Sequence, residues 1–359
     1  MKGRVLVLDG SFTSAPLVGA TEELGYECFT VGNDPFQYFN RLNKRHLVAD
    51  YSNVDVLRGI LSDYTIDFVV PGCTDKSFDT FLQLLNKGSP ANTSQKLIKN
   101  LANKALLKQS LRQVSLPIAR EFRRAKEVGA TDLPVIVKPI DSYSGRGVSV
   151  VRPSKNWQVD LDEAISFARR TSESEEIVIE EYLVGDLCSL SCFADSTTCF
   201  CSSIVAEDVD AAFKVVSSAV TDKFEHIRKT LPSKLRELLG KGPWFVHCQF
   251  IVNELNELPT LIDCAGRCPG DLYGLLLEKS TKFDYYKNYV RSFLNLPLDA
   301  QFSDPDVVLP VTRKTLQGFD MVSKPGLTFS NDCEFFPDVG WRAKSGSRIG
   351  VLFEMGIAR

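Results

Sequence analysis

Histidine, methionine and tryptophan are scarce in this chain, at three residues each. With so few histidines and no second cysteine pair, Cys264-x3-Cys268 is a metal half-site without its other half. Long apolar runs are missing too: none approaches the ~18–20 residues that span a bilayer, so no membrane role is expected. Basic charge is not in excess. Lys and Arg number 42 against 45 Asp and Glu, a formal net charge of −3, and no basic patch stands out for nucleic acid. No G-x-G-x-x-G follows the first strand-like run; Gly10-Ser11 stands there, which argues against a dinucleotide oxidoreductase. Internal repeats and low-complexity segments are absent from the sequence.

What is present is an ordinary globular composition. The 359 residues are 44% hydrophobic and 24% charged, enough for a sizeable core in two or three structural units. The first residues, Met1 to Gly10, pair a basic start with an apolar run too short for a signal-peptide core, and read as a first strand of a cytoplasmic protein. Ten cysteines are scattered through the chain, and in that compartment reduced thiols are expected. Cys188, Cys192, Cys199 and Cys201 are spaced as alternating strand positions.

Residues 1–90 alternate strand-like runs (Val5–Leu8, Glu27–Val31, His46–Ala49, Asp67–Val70) with helix-like ones (Val18–Leu24, Val54–Asp63, Lys76–Leu85). That alternation implies right-handed crossovers and a parallel sheet. Pro90–Ser94 reads as a linker, and Gln95–Gln113 as one amphipathic helix carrying Lys99, Lys104 and Lys108. Leu133–Ile140, Val148–Val151, Ile177–Leu183 and Leu187–Ala194 read as strands, as do Phe245–Val252 and Pro259–Cys264. Helices are expected over Leu161–Ala168, Ser233–Leu239, Asp271–Lys279 and Phe283–Phe293, and short strands from Val307 on, including Arg348–Phe353.

Three places can carry chemistry. Lys138 sits inside the apolar strand Pro134–Pro139, and a buried ammonium is costly unless paired. The following turn, Asp141 to Gly147, offers backbone N–H groups and hydroxyls that can close over phosphates. A phosphate partner and an edge-strand lysine beside a plain hairpin both fit this segment. Glu180-Glu181-Tyr182-Leu183 leads from a strand into a short connector, fitting either a base-reading edge or a plain strand end. Gln249 and Asp263 fall on neighbouring strands, where two oxygen donors can hold Mg²⁺ on a triphosphate. Arg267, in a Gly/Pro loop, suits either a fork onto an anion or a loop salt bridge.

In this order, over roughly residues 1–295, the motifs resemble the ATP-grasp superfamily of ligases, nearest its biotin carboxylase and carbamoyl-phosphate synthase branch. The resemblance implies a mixed α/β and α+β chain: a Rossmann-like pre-grasp domain (1–93) followed by a two-lobed ATP-grasp fold, with a first lobe over 94–184 and a second over 185–359. It implies that Lys104, in Asn103-Lys104-x3-Lys108, and Lys138 bind ATP phosphates under a glycine-rich loop of Ser142, Ser144, Gly145 and Gly147. Glu180, Glu181, Tyr182 and Leu183 would form the adenine connector, read through the backbone at Glu181 and Leu183. Asp263-x-Ala265-x-Arg267 matches the family's Glu-x-Asn-x-Arg, so Asp263 with Gln249 would hold the metal and Arg267 would steady an acyl-phosphate. Departures from the pattern are Asn103 for Asp, Leu187 for a ribose-binding Glu, Gln249 for Glu, Asp263 for Glu and Ala265 for Asn.

The implied activity is an ADP-forming ligase that joins a small carboxylate, through an acyl-phosphate, to an amine, with ATP and Mg²⁺. A homodimer is the default expectation. The thinned metal side favours an alternative, a nucleotide-binding module without ligase chemistry. Gly10–Ala15, Pro71–Asp75 and Gly270-Asp271 are expected to shape the acceptor pocket, and Trp341, Arg342 and Lys344 to lie on the surface.

Overall fold

The computed structural model describes residues 2–34, 37–42, 45–85, 90–142, 145–253, 255, 257–300, 309–317, 333–335 and 348–355. Ser144 and the Trp341, Arg342 and Lys344 group lie outside them. Among the described residues the strands form three sheets.

The first sheet is parallel, in the order β3-β2-β1-β4, from β1 (Arg4–Leu8), β2 (Glu27–Gly32), β3 (His46–Val48) and β4 (Phe68–Pro71). Its crossovers carry α1 (Ala15–Glu23), α2 (Tyr38–Leu42) and α3 (Val54–Asp63), and α4 (Asp75–Leu84) follows β4. Val5 to Leu8 are all inaccessible, because a parallel sheet is covered on both faces. Alternation sends Leu6 and Leu8 into one core and Val5 and Val7 into the other.

The periodicity over Gln95–Gln113 holds, but the helix is broken in two: α5 (Pro90–Ala102) and α6 (Lys104–Gln113). The break is at Asn103, whose side chain accepts hydrogen bonds from the N–H groups of Ala105 and Leu106 and so caps α6. The expected linker Pro90–Ser94 is instead the start of α5, with Pro90 where a missing N–H costs nothing. Ile98 and Leu101 of α5 and Leu107 and Leu111 of α6 lie in one core with Leu6 and Leu8 of β1 and with buried residues of the third sheet.

The second sheet runs β5-β8-β6-β7, from β5 (Glu121–Phe122), β6 (Val135–Pro139), β7 (Ser149–Val151) and β8 (Ile177–Glu181), all antiparallel. Val135, Val137 and Ile179 pack on α7 (Trp157–Thr171). The other face, with Lys138, Glu180 and Glu121, is left for charge. Since β6 has a neighbour on each side, Lys138 is not an edge-strand lysine.

The third sheet contains β9 (Asp186–Ala194), β10 (Cys199–Cys201), β11 (Ile204–Val209), β12 (Val215–Thr221), β13 (Trp244–Val252), β14 (Pro259–Ala265), β15 (Val311–Gln317), β16 (Cys333–Phe335) and β17 (Arg348–Met355). Its order is β14-β13-β9-β11-β12-β15-β17-β16, with β10 beside β9, so the C-terminal strands extend this sheet. Helices α8 (Glu225–Leu239), α9 (Tyr273–Ser280) and α10 (Tyr285–Leu294) pack on it. One expectation is corrected here. Cys192 and Cys201 form a disulfide rather than remaining thiols, because the β9–β10 register sets them directly opposite each other. Cys264 lies against Cys248 and Cys268 against Tyr285, so the half-site is two separate packing contacts. No helix among the described residues is long and apolar enough to cross a membrane.

The cap at Asn103 gives a direct test. Asn103→Ala should cost about 1 kcal/mol of unfolding free energy, read as a lower urea midpoint at unchanged slope. An unchanged midpoint would mean that the α5–α6 break is held by packing alone.

Candidate active site

Antiparallel register builds one wall of the site. Glu180 on β8 is opposite Ile136 on β6 and opposite Glu121 on β5, and Lys138 lies two residues beyond Ile136 on the same face. Helix α6 lies over that face and brings Lys108. The result is a chain of charge, buried at Lys138, Glu180 and Lys108 and reaching the surface at Glu121. Lys138 Nζ is 2.8 Å from Glu180 Oε2, Lys108 Nζ is 2.6 Å from Glu180 Oε1, and Lys108 Nζ is 3.0 Å from Glu121 Oε2. Lys104, one helical turn from Lys108, is also buried, and its Nζ donates to the Ser142 carbonyl at 2.9 Å.

Burial opposes the charge on Glu180, but Lys138 and Lys108 outweigh it and hold the carboxyl below its ordinary value. Burial draws the Lys138 ammonium down, and Glu180 opposes that. Three ammonium groups face two carboxylates here, so the wall has cationic charge to offer an anion.

The connector residues divide between two faces. Glu180 turns inward to the lysines. Glu181 turns away: its Oε1 accepts from the Arg120 N–H at 2.7 Å and its own N–H donates to the Arg120 carbonyl. The Tyr182 N–H donates to the Pro134 carbonyl. In the glycine-rich turn, Gly145 has φ +72° and Gly147 φ +76°. A Cβ on Gly145 would strike the Ala212 carbonyl in the β11–β12 turn, so only glycine lets this loop approach the third sheet.

The second wall is one face of the third sheet. Asp263 is opposite Gln249, and Gln249 is opposite Ser189. Glu207 on β11 reaches into the same row, its Oε1 accepting from the Ser189 hydroxyl at 2.6 Å and its Oε2 from Gln249 Nε2 at 2.7 Å. Farther along, Arg313 on β15 is fully buried, donating to Ser218 at 2.8 Å and to Asp271 Oδ2 at 2.6 Å. Behind them His247 shares Ser191 with Tyr285, and burial pushes its imidazole down to about 3, so it is neutral at neutral pH. Gln249, Asp263 and Glu207 present only oxygen to a cation, the donor chemistry of a hard divalent ion. Among the described residues no three His, Cys, Asp or Glu side chains converge on a metal, so most ligands would come from substrate phosphates and water.

Arg267 is held by Asp75 at the start of α4, with Nε at 2.8 Å from Oδ1 and Nη2 at 3.0 Å from Oδ2. This fork ties the carboxyl end of the first sheet to the β14–α9 loop. The Tyr289 hydroxyl adds a second tie, donating to the Pro71 carbonyl at 2.9 Å.

Structure thus brings Lys104 and Lys138 to one wall and Gln249 and Asp263 to the other, and sets Arg267 on Asp75. Sequence reasoning left Lys108, Glu207 and Arg313 without a site role, and placed Asp271 at the acceptor pocket without its Arg313 partner. For Lys108 the signal was its spacing of four from Lys104 on a helix. Glu207 and Arg313 had only the weak mark of one charge on an inward strand position.

No family model matches the chain. It is 23% identical to the formate-dependent phosphoribosylglycinamide formyltransferase of Methanococcus vannielii over 97% of this chain and 91% of that protein. The enzyme of the same name from Methanocaldococcus jannaschii is 25% identical over 85% of this chain and 80% of its own. Among solved structures, an ADP complex of N5-carboxyaminoimidazole ribonucleotide synthetase superposes with a TM-score of 0.77 at 16% identity, covering 99% of this chain and 92% of that one. Biotin carboxylase from Campylobacter jejuni gives 0.74 at 14% identity, covering 99% and 87%.

Glu180→Gln tests the charged wall. It should cost about 3–5 kcal/mol at neutral pH, since it leaves buried ammonium groups uncompensated. Because the folded carboxyl is depressed from its ordinary 4.5, its stabilisation is present above that value and lost as pH falls through the depressed one. The gap between wild type and variant in urea unfolding should therefore narrow toward about pH 4 and below. A gap independent of pH would rule out the ion pairs as its source.

Proposed function

We propose that this chain, which has the ATP-grasp fold of the carboxylate–amine ligases, is an ADP-forming ligase. One observation carries the reading: Lys104 and Lys108 of α6 and Lys138 of the second sheet form a buried cationic group, Gln249 and Asp263 form an oxygen-lined row on the third sheet, and the glycine-rich loop runs from the second sheet to close contact with the third at Ala212. Such a pair of walls suits a nucleotide triphosphate carrying a divalent cation.

In this reading a substrate carboxylate oxygen attacks the γ-phosphorus of ATP. The bond to the β–γ bridging oxygen breaks, ADP leaves, and an acyl-phosphate forms. An amine then attacks the acyl carbon, phosphate leaves with its bridging oxygen, and the amine gives up a proton. Lys104 and Lys138 hold the phosphates, and the 142–147 loop, with Ser142, Ser144, Gly145 and Gly147, closes over them. Backbone at Glu181 and Leu183, with Tyr182 beside them, receives the adenine. Glu180 acts through Lys108 and Lys138, holding both ammonium groups in place. Gln249 and Asp263 hold Mg²⁺, which when bound neutralises phosphate charge. Arg267, engaged by Asp75 through Nε and Nη2, orders the loop beside the acceptor and has further N–H groups for an acyl-phosphate. The chain's work is positioning and charge stabilisation, which dominate phosphoryl transfer. Pre-grasp, first-lobe and second-lobe divisions at 1–93, 94–184 and 185–359 go with this reading, as do cytoplasmic placement and a homodimer.

The names of the relatives make formate the first acid to test, and the amine of phosphoribosylglycinamide the first acceptor. ATP binding followed by calorimetry should require Mg²⁺ and be lost in EDTA. ADP release with an active pair should fall about 10²–10³-fold in Lys138→Ala. Unchanged turnover in that variant would sink the assignment. Metal-indifferent binding would favour the nucleotide-binding module, for which Ala265, with no donor at a usual metal position, is the supporting feature.

A further inference from the structure

Residues opposite one another in antiparallel strands share a face. Asp263, Gln249 and Ser189 are in register across β14, β13 and β9. Ser189 is opposite Val205 on β11, so Glu207, two residues on, shares their face. Glu207 is 8% exposed, yet both hydrogen bonds it accepts come from neutral groups, the Ser189 hydroxyl and the Gln249 amide. The nearby guanidinium, Arg313, is already bound to Asp271. Glu207, Asp263, Asp271 and Asp75 thus set four carboxylates against the two guanidinium groups of Arg313 and Arg267 at this face, an imbalance that a divalent cation corrects. A side-chain amide has one donating end and one accepting end. With Nε2 committed to Glu207 at 2.7 Å, the atom left for a cation is Gln249 Oε1.

We propose that Glu207 is the positioning residue of the metal site: it orients the neutral Gln249 as an oxygen ligand and supplies from β11 the negative charge that β13 lacks. This rests on the ligase reading of the Gln249–Asp263 wall. Outer-shell groups that orient a ligand change metal affinity without touching the metal. Gln at 207 would reverse the arrangement, since its own amide can donate to Gln249 Oε1 and turn Nε2 toward the site. A carboxylate at 249, with Glu207 kept, would face a second carboxylate at hydrogen-bond distance.

The test is Mn²⁺ binding to the full chain in the presence of ADP, followed by electron paramagnetic resonance of free Mn²⁺. Wild type, Glu207→Gln, Gln249→Glu and the double variant are compared, with melting curves for each. Glu207→Gln should weaken Mn²⁺ at least about tenfold. Gln249→Glu alone should give no gain. The double variant, which moves the carboxylate from β11 to β13, should recover most of the lost affinity. Mn²⁺ affinity unchanged in Glu207→Gln, or a double variant no better than that single one, overturns the proposal while the ligase reading stands. Wild type that takes up no Mn²⁺ with ADP overturns both. If Glu207→Gln melts below the assay temperature, the double variant against wild type decides alone.

Discussion

The carboxylate of Glu180 is shared by two ammonium groups from different elements, and the candidate site depends on that sharing. Burial draws the Lys138 ammonium down, and Glu180 is what opposes that. The ion pairs also fix geometry. They bind α6 to the face of the second sheet and so set where Lys104 stands. A carboxylate in the connector itself, one residue before the end of β8, links anything that moves the connector to the position of the lysines.

The third sheet solves a different problem with the same means. It carries carboxylates from β11, β14 and the β14–α9 loop on one side, and offers them neutral donors and the buried guanidinium of Arg313. A face left short of positive charge is costly for the protein alone and favourable once a cation and its phosphates arrive. The first wall has ammonium charge in hand and the second has carboxylate charge in hand. In the proposed reading, a polyphosphate carrying a divalent ion would balance both. The Arg267–Asp75 fork keeps the first sheet's carboxyl edge in place beside this face, and that edge is where open parallel sheets receive ligands.

Much of this was legible in the chain. Helix Val54–Asp63 has the ends its periodicity predicts, and the strands around Lys138 and Glu180 stand where alternation puts them. The single helix over Gln95–Gln113 was misread because its apolar period runs unbroken through Asn103, while the cap that breaks it is a local hydrogen bond that periodicity does not report. Pro90 looked like a linker and begins a helix, the other place proline is at home. The reduced state expected for Cys192 and Cys201 failed because spacing within one strand says nothing of which residue the next strand sets opposite.

By itself, the sequence determined the kinds and order of elements, the lysines on the first wall and the resemblance that named the fold. These follow from short-range periodicity and from residues close together along the chain. Only the tertiary structure decided partners: Glu180 for Lys108 and Lys138, Glu207 for Gln249, Asp271 for Arg313, and Asp75 for Arg267. Each joins residues from different strands, helices or loops, most of them far apart in the chain. Strand register and helix packing, which no local pattern encodes, choose which side chains meet.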